Sequence, residues 1–213
     1  MSVRVVARIR PLLKSELDKD VIIEPSASGL IRIPNPRKEA EAFSFQFNNV
    51  YDQETTQQQI FDEEVAPTIK SLFRGLDVTL FAYGVTGTGK THTMRGGKSL
   101  TDRGVIPRLL SGIYRRSKKI EKDSAGETKV EVSMSYYEIY CDRVYDLFEG
   151  PEKRTSAGLP IRDNGGKTVV VGLTERPCST LKEFEQLYDE ANVNRSTSAT
   201  KVSGILYPHV AAY

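Results

Sequence analysis

The sequence predicts an α/β fold, because strand-like and helix-like segments alternate along its 213 residues. The strand-like segments carry apolar residues at every second position, and the helix-like segments carry them three or four positions apart. A glycine-rich stretch at residues 84–91 joins one predicted strand to a helix. The length suits one sizeable domain, and the sequence contains no internal repeat that would divide it.

Four short strands are predicted before the first helix. Apolar residues alternate with arginines between Val3 and Ile9, and Pro11 is expected to end that strand. The other three candidates are residues 21–23, residues 30–33 and the segment with alternating Phe43, Phe45 and Phe47.

The first helix is predicted to begin at Thr56, whose hydroxyl can form a capping box with Gln59. Gly75 is expected to end it. Pro67 lies inside the pattern and predicts a kink or a break, because proline has no N–H to donate to the preceding turn. The expected apolar face consists of Ile60, Phe61, Val65, Ile69, Leu72 and Phe73.

Residues 84–91 match the phosphate-binding pattern G-x-x-x-x-G-K-[ST]. They are Gly84, Val85, Thr86, Gly87, Thr88, Gly89, Lys90 and Thr91. Glycines let backbone N–H groups surround a phosphate chain, while Lys90 would reach the outer phosphates and the Thr91 hydroxyl would ligate Mg²⁺. The apolar run at residues 77–83 predicts a buried strand that leads into the loop. This context favours a nucleotide site over a plain strand-to-helix turn.

Two longer helices and two strands are predicted after the loop. One of these helices runs from about Pro107 into the basic run at residues 115–119. That run either meets an acidic partner or is a solvated helix end. The second opens with a capping box of Thr180 and Glu183. The predicted strands are the alternating Val130, Val132, Met134 and Tyr136 and the segment 168–172.

The composition predicts a soluble intracellular chain without a membrane span. A formal charge of +2 is too small to indicate nucleic-acid binding, so an acidic partner would have to meet a local basic patch. Cys141 and Cys178 have neither metal-site nor redox-pair spacing and are expected to stay reduced. No apolar run approaches the length of a membrane span.

Several ordered motifs show that the chain resembles the kinesin motor domain. The first strand ends in Arg8-Ile9-Arg10-Pro11, the R-x-R-P element, and the loop extends to the signature A-Y-G-x-T-G-x-G-K-T-H-T-M at residues 82–94. The later matches are S-Y-x-E-I-Y at residues 135–140, V-Y-D-L-F at 144–148, G-L-T-E at 172–175 and N-R at 194–195. The resemblance covers residues 2–203 and implies a P-loop NTPase-type central sheet flanked by helices.

The resemblance implies ATP and Mg²⁺ as cofactors and gives roles to particular residues. Arg8, Arg10 and Pro11 would line the adenine pocket, and His92 would lie beside the nucleotide. Phe61 stands where the family has an aromatic ring against the base, but it could equally be a core residue of its helix. Val85 stands where most family members have glutamine. Little effect on nucleotide binding is expected, because this side chain does not supply the phosphate contacts.

The resemblance also implies microtubules as the partner, with Arg143 and Lys167 at positions where basic residues touch tubulin. The alternative is that both are ordinary solvated residues. The two switch motifs that complete the ATPase, N-x-x-S-S-R-S-H and D-L-A-G-S-E, do not occur in this sequence, and His209 does not fit the switch histidine. Segments near residues 104–108, 174–178 and 194–200 look most like the chromokinesin type, which binds chromosomes during mitosis.

The family pattern stops at about residue 203, so residues 1–203 are predicted to be the N-terminal portion of the motor domain, and residues 204–213 an unrelated tail. Lys201-Val202-Ser203 can be encoded by codons that match an exon–intron boundary, which suggests read-through of a retained intron. In the family fold, strands that come after this point in the sequence lie next to the strand that leads into the phosphate loop. Weak stability, poor solubility and negligible ATP turnover are therefore expected for this chain.

Three functional hypotheses follow. The first is the N-terminal part of a microtubule-stimulated ATPase motor whose full-length form moves along cytoplasmic microtubules, including those of the mitotic spindle. The second is a non-catalytic nucleotide- or tubulin-binding fragment, favoured for this chain by the missing switches. The third, an unrelated P-loop kinase or GTPase, lacks an acceptor or base-specificity motif. No membrane binding and no direct nucleic-acid binding are expected from this segment.

Overall fold

The structure is a computed structural model that describes residues 3–18, 21–25, 28–38, 41–195 and 204–212, with the backbone alone for residues 24–25 and 204–212. The chain divides into two units. The first comprises Met1–Val65 and Phe81–Val105, and the second comprises Ala66–Leu80 and Ile106–Tyr213. Helices and strands alternate, as predicted for an α/β chain.

The first unit contains two small sheets. Its strands are β1 (Val6–Arg8), β2 (Glu24–Pro25), β3 (Leu30–Pro34), β4 (Ala42–Gln46) and β5 (Asn49–Tyr51). β1 pairs in parallel with β5, whereas β2, β3 and β4 form an antiparallel meander. The strand predicted at residues 21–23 is wrong by a few positions, because the pairing to β3 begins at Glu24.

A helical segment in three parts follows β5. They are α1 (Gln57–Ile60), a π-helical stretch (Phe61–Val65) and α2 (Ala66–Leu72). Thr56 caps α1 through the predicted capping box with Gln59, which is confirmed. The interruption expected at Pro67 takes the form of the wider π turn just before it, because Pro67 cannot donate a backbone hydrogen bond. Gly75 has a φ of 78° and donates its N–H to the Leu72 carbonyl, as expected for a helix end.

The strand predicted at residues 77–83 is not formed. The segment has no regular structure, and the side chains of Phe81 and Tyr83 are 74% and 96% exposed. A strand is stable only when neighbouring backbone accepts and donates its hydrogen bonds, and none of the described strands pairs with this segment. The prediction of a buried strand is therefore wrong, although the glycine-rich loop that follows it is present.

The second unit is built around one long strand. Two helices precede this strand along the chain, α3 (Lys90–Met94) and α4 (Val105–Asp123). The long strand is β6 (Val130–Tyr140), and after it come β7 (Arg143–Asp146), β8 (Ile161–Asn164), β9 (Lys167–Val170), β10 (Arg176–Pro177), α5 (Leu181–Val193) and β11 (Gly204–Ala212). α3 belongs to the first unit, and α4 begins at its last residue. β6 pairs antiparallel with β7, β10 and β11, while β8 and β9 form a separate hairpin.

Apolar side chains of β6 and of both long helices are buried in this unit. Ile113 and Phe184 are completely buried, as their positions on the predicted inner helix faces require. Tyr136 on β6 stacks on Tyr188 of α5 with ring centroids 5.2 Å apart. Thr180 caps α5 by accepting a hydrogen bond from the Glu183 backbone N–H, but the predicted capping box is incomplete, because the Glu183 carboxylate accepts from the Ser179 N–H and not from the Thr180 N–H. Within the described residues, no helix is both long and apolar enough to cross a membrane.

Residues 204–212 form β11, which pairs with nearly the whole of β6. The register runs from Gly204 opposite Glu138 to Ala212 opposite Val130. These residues therefore extend the sheet of the second unit as its edge strand. The boundary between a motor portion and an unrelated tail after residue 203 stays a prediction.

A buried ion pair links β6 to the loop after β7. The Glu138 carboxylate, with 2% of its side chain exposed, accepts a hydrogen bond from Arg154 Nη1 at 2.8 Å. The Arg154 guanidinium also lies over the Tyr145 ring, 5.7 Å from its centroid, and donates to the Asn194 carbonyl at the end of α5. Arg154 thus joins three elements of the second unit.

Replacing Arg154 tests how much this unit depends on that pair. Arg154→Met should lower the free energy of unfolding by about 3 kcal/mol, because it leaves the buried Glu138 without this cationic partner. The neighbouring Lys153 pairs with Glu149 on the exposed surface at 3.4 Å, so Lys153→Met should cost less than about 1 kcal/mol. Urea denaturation of both variants measures the difference, and equal effects would contradict the buried pair's role.

Candidate nucleotide site

The glycine-rich loop turns sharply from residue 84 into α3. Gly89, the N-cap of α3, has a φ of 96° in the left-handed region, where a side chain would be strained. Gly84 has a φ of 152°, and a Cβ there would lie 2.7 Å from Thr88 Oγ1. Both positions therefore require glycine, which supports the predicted phosphate-binding conformation.

Lys90 lies across this loop. Its Nζ donates hydrogen bonds to the Gly84 carbonyl at 2.7 Å and to the Val85 carbonyl at 2.9 Å, and the Thr88 hydroxyl also donates to Val85. An ammonium group has three donors, and the loop carbonyls take two of them. The Lys90 ammonium is thus held against the loop backbone, which in this motif binds phosphate oxygens.

The outer side of the loop is open to solvent. Thr86, Gly87 and Thr88 are exposed, as are Thr91 and His92 at the start of α3, and Val85 is 76% exposed. The Thr91 hydroxyl makes no hydrogen bond within the described part of the chain. An exposed hydroxyl beside a lysine fits a phosphate chain with a magnesium ion, because Mg²⁺ takes oxygen ligands and is commonly shared with phosphates.

No protein-only metal centre accompanies the loop. The described residues contain no cluster of three or more His, Cys, Asp or Glu side chains that could hold a metal ion.

Arg8 is held in a hydrogen-bond network that reaches the helix after the loop. Its Nη1 donates to Gln57 Oε1 at 2.8 Å and to Thr93 Oγ1 at 2.9 Å. Gln57, only 4% exposed, donates from Nε2 to the His92 carbonyl at 2.7 Å. Burial lowers the pKa of the Arg8 guanidinium, but arginine remains charged at neutral pH. The network therefore fixes β1, α1 and α3 to one another.

Arg10 is held by a different partner. Its guanidinium forms a two-pronged ion pair with Glu16, at 2.6 Å and 2.7 Å, and Nη1 also donates to the Pro11 carbonyl. The hydrogen bonds that Arg10 donates to the Glu16 carboxylate raise the pKa of the Arg10 guanidinium. The Arg10 Cβ lies 4.0 Å from where a Cβ on Gly89 would be. The predicted R-x-R-P element thus adjoins the loop in space.

Phe61 lies in the π-helical stretch with only 7% of its surface exposed. A ring so deeply buried offers little face to a nucleotide base. Its burial favours the core role over stacking on adenine, the two alternatives that the sequence left open.

The predicted microtubule residues lie in the second unit, each as the first residue after a hairpin turn. Arg143 follows Cys141 and Asp142, whose positive φ angles of 49° and 59° are those of a type I′ turn. Lys167 follows Gly165 and Gly166 in the same way. Both side chains are exposed, but the Arg143 guanidinium donates to the Ser156 carbonyl, whereas the Lys167 ammonium has no partner among the described residues.

The sequence did not indicate two residues that the site depends on, Gln57 and Glu16. Both are polar residues in short helical turns, where such residues are usually solvated. Only their contacts with Arg8 and Arg10 reveal their part in the site.

A glycine-rich loop with a lysine across it and an arginine-bearing strand beside it is typical of a nucleotide-binding domain. The chain belongs to the kinesin motor domain family, whose model matches residues 8–204. The chain is 34% identical over 204 residues to the kinesin-like protein KIF22 of Danio rerio, and 34% identical over 205 residues to a kinesin heavy chain of Gibberella moniliformis. These matches cover 94% and 95% of this chain.

A solved structure of a kinesin also resembles this chain. A fast kinesin, studied for its ATPase mechanism and its interactions with microtubules, matches with a TM-score of 0.83 and 29% identity. The match covers 99% of this chain and 60% of that one. The chain spans 31% of the Danio rerio protein and 21% of the Gibberella moniliformis protein. The predicted kinesin-type α/β fold is confirmed.

Gln57→Ala tests the network that holds the loop helix. It should lower the free energy of unfolding by about 2 kcal/mol, because Arg8 and the His92 carbonyl each lose a buried hydrogen-bond partner. Gln58 is the matched control, since it is exposed and bonds Asp62 on its own helix, and Gln58→Ala should stay within about 0.5 kcal/mol. Chemical denaturation measures both, and a Gln57→Ala variant as stable as the control would contradict the network's role.

Proposed function

We propose that this chain is the nucleotide-binding N-terminal part of a kinesin-type microtubule motor. The observation that supports it most is the loop itself, in which Lys90 lies across the backbone of a complete phosphate-binding motif beside Arg10. The kinesin relatives supply the context of ATP and microtubules. The likeness to KIF22 proteins supports the chromokinesin-like subfamily predicted from the sequence.

The residues of the loop divide the work of holding Mg·ATP. The backbone N–H groups of residues 84–91 would surround the phosphates, and Lys90 would exchange its two loop carbonyls for phosphate oxygens. The Thr91 hydroxyl would ligate Mg²⁺, which supplies charge neutralisation between the phosphates. Arg10 and Pro11 would border the adenine, with Arg8 acting mainly through Gln57 and Thr93 to position the loop helix.

Hydrolysis needs groups that this sequence does not contain. Phosphoryl transfer requires an oriented water molecule and a sensor for the γ-phosphate, and both switch motifs are missing from the 213 residues. We therefore propose that this chain binds nucleotide without appreciable turnover, and that a longer form with both switches is the ATPase. The missing motifs also favour the second candidate, a non-catalytic nucleotide- or tubulin-binding fragment.

Microtubule contact in this part of the motor would use Arg143 and Lys167. Both are exposed cations at the ends of hairpins, where they can approach an acidic surface such as that of tubulin. Exposed charges of this kind act mainly on encounter, and salt weakens them. The proposed location is cytoplasmic microtubules, including those of the mitotic spindle.

Two measurements on two chains test the proposed function. In a titration with fluorescent ATP, the 213-residue chain should bind in the presence of Mg²⁺, and Lys90→Ala should weaken binding about 10- to 100-fold through the loss of charge-assisted hydrogen bonds. Lys98→Ala, an exposed lysine outside the loop, should leave the affinity unchanged. In a microtubule-stimulated ATPase assay, only a version extended through both switches should turn over.

Each outcome separates the hypotheses. Robust microtubule-stimulated turnover by the 213-residue chain would contradict the need for the missing switches. Equal ATP affinity of the Lys90→Ala and Lys98→Ala variants would contradict the nucleotide site itself.

A further inference from the structure

The basic run at residues 115–119 divides into partnered and unpartnered cations. Arg116 lies over the Phe73 ring, 5.3 Å from its centroid, and Lys119 pairs with Asp123 at 2.9 Å. Arg115 and Lys118 are exposed, and their side chains make neither a hydrogen bond nor an ion pair within the part of the chain that the structure describes. Two cations of the same helix face are therefore available to a partner.

Arg115 and Lys118 line the same cleft, which lies between α4 and the start of α5. The cleft has a volume of about 420 Å³, within the range of about 300–1,000 Å³ that is usual for ligand sites. Tyr114 and Leu181 also line it and supply apolar surface. Tyr114 is itself fixed, because its hydroxyl lies 3.1 Å from the buried Cys178 sulfur. The cleft thus combines a cationic rim with an apolar floor.

The start of α5 contributes little further attraction for an anion. Thr180 already accepts the Glu183 backbone N–H, and the Glu183 carboxylate accepts the Ser179 backbone N–H at 2.8 Å. Glu183 is therefore an acidic group engaged at this rim. The attraction for an acidic ligand comes from the two unpartnered side chains of α4 and not from the helix end.

We propose that this cleft binds an acidic peptide segment of a partner protein, with an apolar side chain of that segment on Tyr114 and Leu181. Carboxylates of the peptide would pair with Arg115 and Lys118, and charge complementarity would set its position and speed its encounter. The overall charge of the chain is only +2, so this local pair, and not a general positive field, would select an acidic ligand. The surface uses none of the residues proposed for ATP or tubulin.

Fluorescence anisotropy with the full 213-residue chain tests the proposal. The probe is a short labelled peptide of glutamates around a central leucine, and a second peptide has glutamine in place of every glutamate. The glutamate peptide should bind, with an affinity that falls as salt rises, and the glutamine peptide should not. The double variant Arg115→Gln/Lys118→Gln should weaken binding about tenfold.

A matched double variant controls for the loss of overall charge. Lys122→Gln/Lys129→Gln removes two exposed lysines that lie outside the cleft and should leave the affinity unchanged. Circular dichroism checks that both double variants are folded. Equal weakening by the two double variants would overturn the proposal, because it would reveal non-specific attraction. A failure of the wild-type chain to bind the glutamate peptide would also overturn it. A glutamate peptide with serine in place of the leucine should bind more weakly, and equal binding would overturn the role of the apolar floor.

Discussion

The arrangement of the candidate nucleotide site depends on one buried amide, the side chain of Gln57. Its oxygen accepts from Arg8 on β1, and its nitrogen donates to the His92 carbonyl of α3. An amide can serve both neighbours because it carries a donor and an acceptor, which a carboxylate or an ammonium cannot do. The loop helix is thus fixed to the first strand by two polar side chains, in a region where α3 has only five residues and little packing surface of its own.

The second unit uses the same kind of device at a different place. Glu138 and Arg154 are paired in its interior, and Arg154 reaches on to the end of α5. β6 carries Glu138 of this pair as well as Tyr136, whose ring stacks on Tyr188. It is also the strand with which β7, β10 and β11 all pair. Each unit therefore combines apolar packing with a buried polar contact that determines which elements meet.

The sequence predicted most of the local structure because the signals for it are local. The capping residues Thr56 and Thr180, the long alternating strand of β6 and the glycine at the end of α2 all act over a few positions. The strand at residues 77–83 failed because its stability depends on neighbours far along the chain, which no local pattern contains. Gln57 and Glu16 were missed for a related reason, since a polar residue in a helical turn gives no sign of the arginine that it will meet in space.

We propose that the loop at residues 84–91 holds the phosphates of ATP, with Lys90 moving from the Gly84 and Val85 carbonyls to the ligand. Hydrogen–deuterium exchange of the 213-residue chain, with and without Mg·ATP, tests this most directly. ATP should slow exchange of the backbone amides in this loop and in the first turn of α3, while adenosine, which has no phosphates, should not. Protection by adenosine and ATP alike, or no protection of the loop by ATP, would contradict the account.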